Sequence, residues 1–160
     1  MYALFPEILR DFFGPLEHDK TLGIPVCFLE LYEEARRYAR SASNMQPGPA
    51  LPDKSKICAV DAMRYKGEDA GIGPHVDQEC FPQGGVVALY VHSVSFEAPR
   101  RVIAFYDAWN QPIFSCVLCC GSVYWMGPRL FAQDEATKIK HKPTMVTKGE
   151  CWVILFRLRK

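Results

Sequence analysis

The N-terminal quarter of the chain has the hydrophobic pattern of amphipathic helices. Apolar residues between Phe5 and Phe13 are followed by Gly14-Pro15, a typical stop signal for a short helix. A longer helix is predicted from Pro25 to residue 40, because apolar side chains recur at helical spacing and charged ones take the opposite face. The apolar positions are Phe28, Leu29, Leu31, Tyr32, Ala35 and Tyr38.

The remainder of the chain has the pattern of short β-strands. Residues 41–55 are rich in Ser, Pro and Gly and are predicted to form a loop or a short lid. After them, runs dominated by Val, Ile, Tyr, Phe and Trp are separated by turn residues, at 56–65, 84–96, 100–109, 111–120, 121–127 and 149–160. This spacing predicts a mostly β sandwich or barrel with two helices packed on one sheet.

Composition and charge narrow the classes of protein that remain. A chain of 160 residues, 49% hydrophobic and 23% charged, fits one globular domain and excludes a disordered or collagen-like protein. The formal net charge of +1 excludes a strongly basic coat for nucleic acid but allows a local basic groove. No segment has the pattern of a signal peptide or a membrane span, so we expect an intracellular protein, cytoplasmic or nuclear.

Seven cysteines raise the alternatives of a disulfide scaffold or a zinc site. The count is odd and the chain is long enough to form its own core, which favours reduced thiols. Cys116 and Cys119 have the spacing of a zinc knuckle, but no second pair follows. Because they lie in an apolar run that is typical of a buried strand, we expect packed cysteines rather than a metal site.

The residues with the clearest chemistry are His75 and Asp77. On an extended segment they lie on one face, because strand side chains alternate, so an imidazole and a carboxylate can bind one cation. A third ligand would complete the 2-His-1-carboxylate triad of non-haem Fe(II) oxygenases. Alone, the pair is a weak signal, and a hydrogen bond at a strand end is the commoner explanation. His92 or His141 could supply the third ligand, whereas His18 is expected to be solvated.

The order of these residues resembles a known family, the Fe(II)/2-oxoglutarate dioxygenases, and most closely their AlkB-like branch. That pattern has a tyrosine on a strand, a His-x-Asp, a distal histidine, a Val-x-x-Gly-Glu-like turn and a final strand that ends in Phe-Arg. The matching elements are Tyr65, His75 with Asp77, His141, residues 146–150 and residues 151–157. The resemblance covers residues 56–160, about two thirds of the chain.

The resemblance implies a fold, a ligand set and a reaction. It implies a double-stranded β-helix (jelly roll) over 56–160, with residues 1–40 as a helical buttress, all in a single domain 1–160. Fe(II) would be held by His75, Asp77 and His141. The cosubstrate 2-oxoglutarate would be held by Tyr65 and Arg157, and O2 would be the oxidant. No catalytic side chain beyond the metal ligands is implied.

Three positions differ from the AlkB-like pattern, and all three belong to the cosubstrate site. Cys151 stands where the pattern has arginine, while Val153 and Met63 stand where it has asparagine. Three explanations remain open. Arg157, together with Arg101 or Lys148, holds 2-oxoglutarate in a shifted pose; the site takes another reductant or organic acid; or the metal is kept and catalysis is lost.

The substrate class follows from the resemblance as an expectation. AlkB-like relatives oxidise alkylated or methylated nucleic-acid bases, and the short lid favours a single-stranded or exposed base; other relatives act on proteins or other molecules. Lys138, Lys140 and Lys142 are candidate phosphate contacts near the proposed metal, or simply a solvated edge. Two further hypotheses are a jelly-roll binding module without iron and a cupin-like metalloenzyme that uses no oxo acid.

Overall fold

The computed structural model describes residues 19–43, 50–66, 72–76, 84–92, 101–118, 122–127, 138–145 and 150–159. Within these ranges the chain forms one long helix and two antiparallel β-sheets, which confirms the prediction of a mostly β fold. The helix predicted over 5–13 lies outside the described residues, so the helical layer seen here has one helix rather than two. None of the described helical residues forms a segment long and apolar enough to cross a membrane.

The elements follow the predicted runs closely, with one addition. In chain order they are α1 (Val26–Ser43), a 3-10 turn (Lys54–Lys56), β1 (Ile57–Lys66), β2 (Gly85–His92), β3 (Arg101–Tyr106), β4 (Pro112–Leu118), β5 (Val123–Met126), β6 (Lys140–Met145) and β7 (Glu150–Leu158). Strand β6 is absent from the predicted runs because it contains two lysines and Pro143. The proline is tolerated because its nitrogen faces away from β3, on the same side as the His141 amide, which donates to His75 O, so no hydrogen bond to β3 is lost.

Helix α1 packs on the larger sheet, whose strand order is β1-β7-β2-β5. The buried side chains of this interface come from both layers and include Phe28, Leu29, Tyr32, Ala35, Val87, Leu89, Phe156 and Leu158. Tyr38, which was expected on the apolar stripe, is 66% exposed, and Ala39 packs against the sheet instead. The buried stripe therefore continues from Ala35 by four residues rather than three.

The other face of the larger sheet meets the smaller sheet. Val153 and Leu155 of β7 belong to this second cluster, whereas Phe156 and Leu158 of the same strand belong to the cluster beneath the helix. Side chains alternate along a strand, so β7 contributes to both layers of the core at once. Ile103 of β3, 1% exposed, lies in the second cluster as well.

The prediction that the run around Cys116 is a fully buried strand is wrong. In β4, Ile113, Phe114 and Val117 are each more than half exposed, whereas Cys116 is half-buried and packs against the second cluster. The four residues from Pro112 to Ser115 are all exposed, so both faces of β4 are open to solvent there, and the strand is buried only at Leu118. Cys119 lies outside the described residues.

Candidate functional site

Two of the three predicted metal ligands lie side by side. His75 and His141 form an antiparallel β-bridge: the His75 amide donates to the His141 carbonyl at 3.0 Å, and the reverse bond is 2.8 Å. Their imidazole rings are 4.3 Å apart between centroids and inclined at 50°. His141 is 7% exposed. The main chain itself therefore sets the distance between these two imidazoles, across 66 positions of sequence.

A backbone contact orients the His75 ring. Its Nδ1 lies 2.8 Å from the carbonyl oxygen of Gly73. A carbonyl oxygen only accepts, so in this hydrogen bond the imidazole proton resides on Nδ1. The lone pair that a metal requires is then on Nε2, which is the arrangement that neighbouring carbonyls commonly impose on ligand histidines.

The third predicted ligand, Asp77, lies outside the described residues. Among the residues that are described, no group of three or more His, Cys, Asp or Glu side chains is placed to hold a metal ion. The carboxylate thus remains a prediction from the His-x-Asp spacing. His92 ends β2 with its backbone in register with Cys151, and its side chain is likewise outside the described part.

The two histidines line a cavity of about 220 Å³ between the sheets. A cavity of this volume can hold a small organic molecule. Both predicted cosubstrate residues, Tyr65 and Arg157, line it as well. Among the described residues, the lining consists of Met63, Tyr65, Ile72, His75, Arg101, Tyr124, Met126, His141, Pro143, Val153, Leu155 and Arg157.

The positions that differ from the AlkB-like pattern are neighbours in the sheet. In the β1–β7 register, Met63 is paired with Val153, and Tyr65 is paired with Cys151. Met63 and Val153 line the cavity, and the Tyr65 hydroxyl donates to the Met63 sulfur at 3.5 Å. Two positions at which the AlkB-like pattern has asparagine are thus an adjacent apolar pair in this chain, which makes this part of the wall hydrophobic.

Arg157 lines the cavity but is also bound to a carboxylate. Its Nε donates to Asp61 Oδ2 at 2.6 Å, and its side chain is 14% exposed. Asp61 lies on β1, two residues from the register partner of Arg157. The acid was not recognised in the sequence, although its position between apolar neighbours in a predicted strand was a usable signal.

Arg101 is the residue whose importance the sequence understated. It is completely buried, and its guanidinium carbon lies 3.7 Å from the centroid of the Tyr65 ring. Arg101 stands at the start of β3 and alternates with Ile103, which is buried in the inter-sheet cluster. That alternation places Arg101 on the inward face and could have identified it.

The lysines near His141 lie away from the cavity. Lys140 donates its ammonium to Ala108 O at 2.9 Å and to Asn110 Oδ1 at 3.0 Å, so it holds the turn between β3 and β4. Along β6, His141 and Pro143 are buried cavity residues, whereas Lys140 and Lys142 alternate with them and are half-buried. This placement does not support the prediction that these lysines contact phosphate beside the proposed metal ligands.

Comparisons with known proteins show no family for this chain. No family model matches it, and no curated protein matches it. Among solved structures, one match comes from Bacillus endospore appendages, described as a novel family of disulfide-linked pili. The identity is 13%, the alignment covers 62% of this chain and 86% of that chain, and the TM-score is 0.29. A likeness at this level carries no argument about fold or function.

Proposed function

We propose that this chain is a non-haem Fe(II) dioxygenase that uses 2-oxoglutarate. The observation that carries the proposal is the backbone pairing of His75 with His141, which presents two imidazoles 4.3 Å apart in one cavity. Two imidazoles and one carboxylate are the donor set of the facial triad in this class of oxygenases. Asp77, two residues after His75 on an extended segment, is the proposed carboxylate.

The strand order supports a double-stranded β-helix. If residues 72–76 are counted as a short strand beside β6, the described residues form eight strands. The first, third, sixth and eighth belong to the larger sheet and the others to the smaller one, in the order β4-β3-β6 followed by 72–76. An eight-stranded, two-sheet roll has this interleaving, and its mouth between the sheets is a natural ligand site.

The residues present fit an iron site of this kind. His75 carries the orientation that ligand histidines require, and His141 is buried at the edge of the cavity. The chemistry that the ion supplies when bound is oxygen activation coupled to decarboxylation of the oxo acid, which leads to hydroxylation or demethylation of the substrate. The chain's own residues would bind and orient the ion and the acid. The two imidazoles would position the ion, and the arginines of the cavity would provide the positive charge that attracts the acid.

The apolar part of the cavity wall helps to exclude water from the candidate site. Met63, Met126, Val153 and Leu155 form the apolar part of its lining. A dry wall strengthens the attraction between a guanidinium and a carboxylate, because the local dielectric is lower than that of water. The same wall favours a second candidate, an oxygenase that uses another organic acid or reductant, since the amide-bearing positions of the AlkB-like pattern are hydrophobic here.

For the substrate we propose an alkylated or methylated nucleic-acid base, in a single-stranded or exposed context. A base of this kind needs an accessible aromatic ring on which to stack. Trp109, whose side chain is 70% exposed, is a candidate for that contact. A protein or small-molecule substrate is the alternative outcome of a substrate screen.

The test is an anaerobic titration of Fe(II)-loaded protein with 2-oxoglutarate, followed by the visible charge-transfer band of the chelate. We expect a saturable band in the natural protein and no band in His75→Ala or His141→Ala. His18→Ala is the matched control, because His18 lies outside the motif, and it should retain the band. Protein that binds no Fe(II) overturns the proposal, whereas Fe(II) binding without a band favours the second candidate.

A further inference from the structure

Strand β4 lies at one end of the smaller sheet and has an exposed apolar edge. Among the described residues, β3 is the strand that pairs with it, in the order β4-β3-β6. Three large apolar side chains of β4 are exposed: Ile113 at 56%, Phe114 at 60% and Val117 at 55%. An exposed apolar strand at a sheet edge is a template for pairing with another strand, and monomeric proteins normally protect such edges.

The hydrogen bonds of His141 show how the main chain of the neighbouring strands is oriented. The His141 amide donates to His75 O, so the main-chain groups of His141 point away from β3. Its register partner in β3 is Phe105. In an antiparallel pair of this kind both residues turn their main-chain groups away from each other, so those of Phe105 point toward β4.

This orientation determines which main-chain groups of β4 face outward. Phe114, the register partner of Phe105, bonds back to β3. The register shift of the β3–β4 pair lies next to the turn, so residues 114–118 are regular. Main-chain direction alternates along a strand, and the amide and carbonyl groups of Ser115 and Val117 therefore point away from β3, toward the position that a further strand would take.

The sequence of β4 and of its flanks contains no charge. The 21 residues between Asp107 and Arg129 include no Asp, Glu, Lys, Arg or His. Edge strands of monomeric proteins commonly carry lysines or other charged residues that repel a second strand. A neutral strand meets no such repulsion when it pairs with a copy of itself, whereas a charged partner such as nucleic acid or an acidic peptide gains no ion pair there.

The pattern of side chains in β4 is symmetric about Ser115. Two β-branched residues, Ile113 and Val117, lie two positions before and after it, and Phe114 and Cys116 lie one position before and after it. An antiparallel copy centred on Ser115 therefore sets Ile113 opposite Val117 of the second copy, and Phe114 opposite Cys116. Apolar pairs of this kind stabilise antiparallel sheets. The outward groups of Ser115 and Val117 are those that form hydrogen bonds in this register.

The turn that leads into β4 is held in place by several hydrogen bonds. Asp107 Oδ1 accepts from the amides of Trp109 and Gln111, at 2.9 and 2.7 Å. The ammonium of Lys140 holds the same turn through Asn110 Oδ1 at 3.0 Å. A strand whose start is fixed in this way loses little conformational entropy when it pairs with another.

We propose that β4 pairs antiparallel with β4 of a second copy of this chain, about a two-fold axis at Ser115. The two smaller sheets then form one continuous sheet, in which the described strands follow the order β6-β3-β4-β4-β3-β6. The interface is isologous and closes on itself, because it uses the same edge of both copies. The segment that carries His75 lies beyond β6, at the other end of this order, so the dimer does not depend on the proposed function.

The test is sedimentation velocity over a dilution series, under reducing conditions so that no disulfide contributes. The natural protein should show a monomer–dimer equilibrium with a dissociation constant on the order of 10 µM. Ile113→Lys and Val117→Lys should each weaken the dimer by at least about 10-fold, because each buries two ammonium groups against apolar side chains of the other copy. Tyr38→Lys is the matched control: Tyr38 is 66% exposed but lies on α1, and the dissociation constant should not change.

A pair of introduced charges tests the register. Val117→Glu alone should weaken the dimer as the lysine variants do. The double variant Ile113→Lys with Val117→Glu sets each new ammonium opposite a new carboxylate of the second copy, and it should associate at least about 10-fold more tightly than either single variant. A double variant that associates no better than the single ones would overturn the pairing about Ser115.

Hydrogen exchange of the Ser115 and Val117 amides completes the test. These amides should be protected in the dimer and should exchange faster on dilution. Protection that does not change on dilution would mean that another segment of the same chain occupies the edge, which overturns the proposal. So would a natural protein that remains monomeric up to about 1 mM, or a dimer that both lysine variants leave intact. Circular dichroism verifies the fold of each variant, since the substituted side chains are all more than half exposed.

Discussion

The rings of Tyr32 and Phe156 meet at a centroid distance of 4.9 Å and an angle of 57°, and both side chains are completely buried. This contact joins α1 to the strand that carries Val153, Leu155 and Arg157 into the cavity. Tilted aromatic pairs of this kind contribute about 0.5–1.5 kcal/mol beyond the apolar area that they bury. The helix therefore supports one wall of the candidate site from behind.

Phe156→Ala should be among the most destabilising single substitutions in the chain. The change leaves a cavity between α1 and the larger sheet, and we expect the free energy of unfolding to fall by about 3–5 kcal/mol. Tyr38→Ala on the same helix is the control, because Tyr38 is 66% exposed and its loss should cost less than about 0.5 kcal/mol. Urea denaturation measures both, and similar losses in the two variants would contradict the packing described.

The protein should lose stability at alkaline pH, because the buried hydroxyl of Tyr32 then ionises. Burial raises the pKa of Tyr32 to about 12, and its hydroxyl donates to Pro52 O at 3.0 Å. Because the folded-state pKa lies above the unfolded value of about 10, the neutral form stabilises the fold fully below pH 10. Between pH 10 and 12 the free energy of unfolding should fall by about 2–3 kcal/mol from this group.

Tyr32→Phe isolates this effect from the other tyrosines. The variant lacks the hydroxyl, so its stability should fall less steeply over the same pH range, while at pH 7 it loses about 1 kcal/mol with the hydrogen bond to Pro52. Denaturation curves at pH 7, 10 and 11.5 provide the comparison. Parallel loss in both proteins would show that Tyr32 titrates normally.

Asp61→Ala tests the ion pair that holds Arg157. The partner arginine is 14% exposed, so removing the carboxylate should cost about 1–2 kcal/mol of unfolding free energy. The matched control is Glu34→Ala, which breaks the pair of Glu34 with Arg37, where both side chains are about two thirds exposed. Solvent screens that pair, and we expect a cost below about 0.5 kcal/mol. Equal costs in thermal or urea denaturation would count against a special role for Asp61.

Two glycines should respond in opposite ways to alanine. Gly85 has a φ of +106°, and an added Cβ would lie 2.6 Å from Met126 O, so Gly85→Ala should cost more than about 2 kcal/mol. Gly73 has open space where a Cβ would be added, and Gly73→Ala should be neutral or stabilise by up to about 1 kcal/mol. The melting temperatures of the two variants test both expectations. A Gly85→Ala protein as stable as the natural one would disprove the close approach of Met126 O to position 85.

The sequence predicted the parts of the fold that depend on local pattern. Strand composition located six strands, and helical periodicity located α1, because burial on one face leaves a clear repeat. The predicted runs left out β6, because its lysines and Pro143 weaken the apolar pattern that is typical of a strand. It also placed the run around Cys116 in the core, since composition cannot tell a terminal strand from a central one.

The sequence predicted the residues of the candidate site that belong to a motif, but it did not predict the contacts that depend on how the strands pair. The spacing of His75 and the position of His141 before the last strand were sufficient to propose them as partners. The contacts of Arg101 with Tyr65 and of Arg157 with Asp61 join residues that are 36 and 96 positions apart in the chain. Contacts of this kind follow from strand order, which residue pattern alone leaves open.

The pairing of His75 with His141 also has a kinetic consequence. Its two hydrogen bonds close a span of 66 residues, and β7 pairs with both β1 and β2, far behind it in the chain. The entropy of these long closures has to be offset before the two imidazoles meet, which places their meeting late in folding. The cavity cannot acquire its full lining until the nine-residue strand β7, which supplies Val153, Leu155 and Arg157, has paired with β1 and β2.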